Sequence, residues 1–165
     1  MAAALLACAA QGALRALNIF QEIDDPWGHT LALLTIGVVH RRLQHFEEAL
    51  DYFQLALAVA GQVQDHAGQA MALYDLGTTY RHLRRFEAAL EHFKRAYTTF
   101  RQISDRWSEA HTLRHIGDIL QNLNLMDAAS TYWHQALPIF EDLGDSATAA
   151  RVRASLESAH PGNLD

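Results

Sequence analysis

The sequence predicts an all-α protein, an α-solenoid of about eight antiparallel helices. Three observations predict it. Apolar residues recur at helical steps: in "FEAALEHFKRAYTTF", Phe86, Ala89, Leu90, Phe93, Ala96, Tyr97 and Phe100 share one face. A near copy, "FEEALDYFQLALAVA", begins earlier in the chain, at Phe46. Slid against itself by the offset from Phe46 to Phe86, the chain keeps 14 of 40 positions between 31–70 and 71–110, including Gly37/Gly77, Phe53/Phe93, Ala56/Ala96 and Asp65/Asp105.

The elements follow in order. Residues 1–25 make a half repeat with a helix B only, because Ala16, Phe20, Ile23, Asp25 and Trp27 match Ala96, Phe100, Ile103, Asp105 and Trp107. The first whole repeat, 26–65, opens on a helix A with Asp25 as N-cap and Pro26 at N1, where proline loses only an N–H that lacked a partner anyway. Helix A is expected to run to about residue 43, and helix B from about 46 to 62, each roughly 25 Å long. Repeats 66–105 and 106–145 start at the same phase, with Asp65 and Asp105 as caps, and Asp145 opens a closing half repeat, 146–165. The third repeat keeps Gly117, Ala129 and Ala136 but puts Met126 and Trp133 where the others have Phe.

Some positions carry mechanical expectations. A mid-helix glycine costs about 1 kcal/mol relative to alanine, so its recurrence at Gly37, Gly77 and Gly117 implies a neighbour too close for a Cβ. Trp27 and Trp107 are expected to cover the junctions between repeats. Pro138 falls inside the third helix B and should kink it or release one backbone bond. On the first helix Leu6, Ala9 and Ala13 lack a covering helix A. That points to a module of a longer protein, or to a homo-oligomer formed through the N-terminal edge.

Composition narrows the function classes. Half of the 165 residues are apolar and 19% charged, a globular balance. With 13 basic against 19 acidic residues the net charge is −6, which weighs against a nucleic-acid partner. The single cysteine, Cys8, excludes an internal disulfide framework and is expected as a small buried hydrophobe in a reducing cytoplasm. "LLAC" superficially resembles a lipoprotein cleavage site, but no basic residue precedes it and the stretch before Cys8 is too short for a signal peptide. No apolar run is long enough to span a bilayer, so no membrane partner is expected.

Catalytic machinery is not visible. The serines stand in no nucleophile elbow, no glycine-rich phosphate loop occurs, and no cofactor is implied. The rival chemistry is metal: His111, His115 and Asp118 fall at i, i+4 and i+7 of one helix, a spacing that can bring two imidazoles to one ion. No glutamate sits between the histidines as in helical metalloproteases, and the other histidines are scattered over the repeat. The alternative is thus a metal-dependent enzyme or metal sensor using His111 and His115.

The residues Leu33, Ile36, Gly37, Ala49, Phe53 and Ala56, with Leu73, Leu76, Gly77, Tyr80, Ala89, Phe93 and Ala96, and Leu113, Ile116, Gly117, Ala129, Trp133 and Ala136, resemble tetratricopeptide repeats. The period of 40 exceeds the family's usual length, and the usual proline after helix B is absent; this resembles the long repeats of bacterial multidomain regulators and signalling ATPases. The resemblance implies a right-handed superhelix whose A helices line a concave groove that binds a protein or peptide. Carried over by position, that groove takes Leu34, Val38, Arg41 and Arg42 from the first repeat. The second gives Tyr74, Thr78, Arg81 and His82, and the third gives Arg114, Asp118, Gln121 and Asn122. The arginines imply a partner segment with acidic and apolar residues. Leu34, Val38, Asp75, His111 and His115 stand where chaperone-binding relatives carry Lys and Asn, so that clamp does not transfer. The implied role is a cytoplasmic sensor or scaffold, not an enzyme.

Overall fold

The computed structural model describes residues 2–159, which form eight α-helices: α1 (Ala2–Glu22), α2 (Pro26–Arg42), α3 (Phe46–Gln62), α4 (His66–His82), α5 (Phe86–Gln102), α6 (Arg106–Asn122), α7 (Met126–Asp142) and α8 (Ser146–Ala159). The even-numbered helices are the A helices of the repeat and the odd-numbered ones the B helices. Asp25 caps α2 by accepting from the backbone N–H groups of Trp27 and Gly28, and Pro26 takes the first helical position. Asp65, Asp105 and Asp145 accept from Gly68, Ser108 and Thr148 in the same way.

Every helix from α1 to α7 ends alike. Asp24, Gln44, Gln64, Arg84, Ser104, Asn124 and Gly144 follow one another at a constant spacing, half the repeat, and each has φ between 53° and 73°. The N–H after each of them donates at 2.9 Å to a carbonyl in the last turn of the helix, as His45 does to His40 and Arg85 to Tyr80. This is the Schellman closure, which satisfies carbonyls that the helix end leaves open. A–B and B–A connections therefore have one geometry.

The described residues fall into two compact units that divide between His92 and Phe93, within α5. In the first, α1 packs on α2, α2 on α3 and α4, and α3 on α4. Its core gathers Leu33, Leu34, Ala49, Leu50, Phe53, Ala56, Ala72 and Leu76. At Gly37 the ring of Phe53 occupies the place of a side chain: a Cβ there would lie 2.6 Å from Phe53 Cε1. In the second unit α6 packs on α7 and α7 on α8, around fully buried Leu113, Ile116, Trp133, Phe140 and Val152. Gly117 meets the indole of Trp133 as Gly37 meets Phe53. The close neighbour at both glycines is thus an aromatic ring from the paired helix B.

Three expectations are corrected. Trp27 and Trp107 do not cover junctions; they are 60% and 56% exposed. Each stands in the first turn of its helix, where Gly28 and Thr30, or Glu109 and Ala110, are the buried positions. Cys8 is exposed, not buried. On α1 the inward stripe runs through Leu6, Ala10, Ala13, Leu17 and Phe20, and Cys8 lies off it. Of the α1 positions expected to lack cover, Ala13 is buried and Leu6 half-buried while Ala9 is exposed. The large apolar side chains exposed here are Leu14 and Ile19 on this helix and Ile23 just after it. Pro138 lies inside α7, which continues to Asp142, with the proline on the exposed side.

Candidate interaction surfaces

In the first unit the exposed side of α2 carries Trp27, Leu31, Thr35 and Arg42, one to two turns apart, and α4 adds Met71. Leu31 is 58% and Met71 44% exposed, more than a core position allows. Between α1, α2 and α4 lies a hollow of about 300 Å³, lined by Leu6 and Ala9, by Leu31, Leu34, Thr35, Val38, Val39 and Arg42, and by Met71 and Asp75. Its wall is apolar except for Thr35, Arg42 and Asp75.

Asp75 is held by Arg41, whose Nη2 donates to Oδ1 at 2.8 Å, with the two side chains only 18% (Arg41) and 13% (Asp75) exposed. The Arg41 guanidinium also lies 5.8 Å from the centroid of the Phe53 ring. Burial among apolar neighbours pushes the Asp75 carboxyl up to about 6, although the charge of Arg41 pulls the other way. Desolvation wins.

A second hollow, of about 610 Å³, is lined by Arg41, Arg42, Gln44, Phe46 and His82. His82 stacks on Phe46 with centroids 5.5 Å apart and planes 12° apart. Burial holds the His82 imidazole below its ordinary pKa, helped by the positive charges of Arg81 and Arg41. Nearby, Arg85 donates to Glu47 at 2.8 Å across an exposed contact.

The second unit has its own polar cluster. Arg114 Nη1 donates to Asp118 Oδ2 at 2.9 Å, and its Nη2 stands 3.1 Å from His115 Nε2. Because guanidinium only donates, that imidazole nitrogen is the acceptor. Asp118 Oδ1 accepts from the Trp133 indole N–H at 3.2 Å. Beside the cluster lies a hollow of about 260 Å³ lined by Arg114, Asp118, Arg151, Val152, Ala154 and Ser155.

The positions carried over from the repeat pattern therefore divide. In the first unit Leu34, Val38 and Arg42 line the apolar hollow, and Arg41, Arg42 and His82 line the cationic one. Tyr74 and Arg81 are half-buried, and Thr78 is buried with its hydroxyl donating to the Tyr74 carbonyl at 3.0 Å. In the second unit Arg114 and Asp118 pair, Gln121 is half-buried, and exposed Asn122 donates to the Asp118 carbonyl at 2.7 Å. The pattern did not point to Leu31 or Met71 as lining residues, whereas Asp75, a groove position of the chaperone-binding relatives, does line the apolar hollow. Leu31 and Met71 did carry a signal: two large apolar side chains at one phase of the repeat, a turn before Thr35 and Asp75.

The histidines also have ring partners. His40 stacks on Tyr52 and His92 on Tyr80, each at 5.2 Å; His115 stacks on Phe93; His111 meets Trp107 at 4.0 Å and Phe140 edge-on. Burial and the charges of Arg114 and Arg151 hold His111 low, against an opposing pull from Asp145. Among the described residues no three His, Cys, Asp or Glu side chains gather where a metal ion could be held. Nor is any described helix long and apolar enough to cross a membrane.

Residues 29–102 match the family model of the tetratricopeptide repeat. No curated protein sequence matches the chain. Among solved structures, BtubC (BKLC) from P. vanneervenii superposes with a TM-score of 0.87 at 20% identity, over 94% of this chain and 65% of that one. A signal transduction ATPase with numerous domains from Pyrococcus horikoshii, described as having a tetratricopeptide repeat sensor, gives 0.83 at 20% identity, over 94% of this chain and 24% of its own. A Rap protein complexed with Competence and Sporulation Factor gives 0.76 at 17% identity, over 96% and 44%. The chain thus spans less than two thirds of the length of each. With capped helix pairs recurring at a constant period and an aromatic ring seated on the mid-helix glycines Gly37 and Gly117, the chain has the tetratricopeptide-repeat fold, and its residues 29–102 match that family's model.

Proposed function

We propose that the chain is a protein-interaction module that binds a protein or peptide segment on its A-helix faces, as the sensor or scaffold part of a larger regulatory protein. The observation that carries this reading is the exposure of Leu31 and Met71 around an apolar hollow in the first unit. Large apolar side chains that serve no core and rim a concavity are the mark of a binding surface. The Rap protein complexed with its factor and the ATPase with a repeat sensor support the same reading by fold. The binding positions are Leu34, Val38, Arg42, Tyr74, Thr78, Arg81, His82, Arg114, Asp118, Gln121 and Asn122, on repeats 26–65, 66–105 and 106–145. Arg41 joins them less directly, because Asp75 already holds it. The partner segment carries acidic and apolar residues, and the module works in the cytoplasm without chemistry of its own.

The test is capture of partners from the native host by tagged chain, compared with Leu31→Glu and Met71→Glu together. Both side chains are exposed, so the fold survives while the apolar rim is lost. A partner captured equally by both forms refutes the surface. Self-association through α1 is a second reading, favoured by exposed Leu14, Ile19 and Ile23. A strict monomer by light scattering at high concentration removes it.

A further inference from the structure

The apolar hollow and the cationic hollow of the first unit share one residue, Arg42, which lines both. One is walled by Leu31, Val38 and Met71; the other opens beside Arg42 and His82. We infer that together they form a single two-part subsite, which takes a bulky apolar side chain in the first hollow and that segment's carboxylate on Arg42 and His82 in the second. The inference rests on the interaction reading above and deepens it by naming the ligand chemistry and the residues that select it.

Charge decides the sign of the ligand. Arg41 and Asp75 cancel one another at 2.8 Å, so Arg41 is committed and cannot be the main anchor for an incoming anion. Arg42 is exposed and forms no ion pair among the described residues. The subsite is therefore net positive. His82 reports the same field, since the charges of Arg81 and Arg41 help to hold it below its ordinary pKa. A cationic side chain reaching Asp75 would meet Arg41 already bound there and the like charge of Arg42, which lines both hollows. A carboxylate meets two donors and no competing anion among the residues lining the cationic hollow, and guanidinium binds carboxylate in bidentate geometry. The apolar body is drawn in because it displaces water from a wall of Leu, Val and Met side chains.

The probes are 4-phenylbutyrate, 4-phenylbutylamine and 4-phenylbutanol, which share one apolar body and differ at the tail. Each is titrated into the full chain and followed by backbone amide NMR shifts. The acid should move the amides of Leu31, Val38, Arg42, Met71 and His82 at millimolar concentration and bind more tightly than the alcohol, with the amine weakest. Arg42→Gln should weaken the acid on the order of tenfold and leave the alcohol unchanged. Leu31→Glu should weaken both. The idea is overturned if the amine binds as well as the acid, if Arg42→Gln leaves the acid's affinity unchanged, if the shifts fall elsewhere, or if no probe binds. Since Arg42 and Leu31 are exposed, unchanged amide spectra of the free variants establish that folding is intact. A captured partner together with silent probes would sink this subsite alone. Selective probe binding without any captured partner would sink the interaction reading and leave the subsite standing.

Discussion

Asp75 offers a quantitative test of the first unit. Its carboxyl is raised from 3.8 to about 6, chiefly by burial, even with Arg41 at 2.8 Å. A carboxylate that holds its proton more tightly when folded stabilises the fold below its unfolded pKa, and loses that contribution as pH rises through the folded value. The rise of about 2 pH units, at about 1.4 kcal/mol each, corresponds to roughly 3 kcal/mol. The perturbation is Asp75→Asn, which removes the titration and keeps the shape. Urea unfolding followed by far-UV circular dichroism, from pH 7.5 to 4, gives the stability of both forms. The wild-type minus variant difference should climb by about 2–3 kcal/mol as pH falls, starting near pH 6, because by pH 4 most of the window has been crossed.

Subtraction matters because other carboxylates act in the opposite direction. Asp145, for example, is held low by hydrogen bonds from Thr148. Since repeat proteins can unfold in steps, a carboxyl-carbon NMR titration of Asp75 reads the group itself. A midpoint near 4, or a difference curve that is flat or falls toward acid, would show that the guanidinium outweighs burial and would refute the reasoning. Arg41→Gln should move the midpoint higher still, because it deletes the charge that favours the ionised form.

Other changes follow from the same geometry. Gly37→Ala should destabilise by about 1–3 kcal/mol in chemical unfolding, since the buried ring of Phe53 must move; Gly61→Ala, with open space at its Cβ, should gain up to about 1 kcal/mol. Gln64→Gly should stabilise by about 0.5–1 kcal/mol, because φ is 56° there and a side chain is strained in that region. Trp133→Phe should cost about 1–3 kcal/mol by opening space and removing the donor to Asp118; made in an Asp118→Val background it should cost measurably less, and strict additivity in that cycle would mean the 3.2 Å contact carries no coupling.

The helices were legible because a repeating pattern averages out local ambiguity: the same phase carried Asp at each A-helix start and alanine at each close B-helix crossing. The turns were not. Asp24, Gln44, Gln64, Arg84, Ser104 and Asn124 share a backbone angle but no side-chain chemistry, and only Gly144 signals it. Exposed tryptophans misled because aromatic residues at a repeat phase usually pack, whereas Trp27 and Trp107 fall on the solvent side of the first helical turn. The ring pairs could have been found by comparing repeats as pairs of positions. His40 with Tyr52 in one repeat becomes Tyr80 with His92 in the next, a stack preserved with its members exchanged. Val38 with Phe53 likewise becomes Asp118 with Trp133, where an acid arrives together with the indole that donates to it.

That compensated change shows where individuality enters a repetitive fold. Leu33, Leu73 and Leu113, or Ala56, Ala96 and Ala136, are all buried and chemically alike, so the apolar core cannot tell one repeat from another. The polar contacts differ: Arg41 joins Asp75 between neighbouring A helices, whereas Arg114 turns to Asp118 on its own helix. Half-buried ion pairs are poor sources of stability, because desolvation consumes most of their attraction, and Asp75 shows that directly in its raised pKa. What such pairs can do is fix which charges are neutralised and which remain. In the first unit they silence Arg41 and leave Arg42 exposed beside an apolar hollow. The residues that set one repeat apart from another are therefore ones that the core does not require.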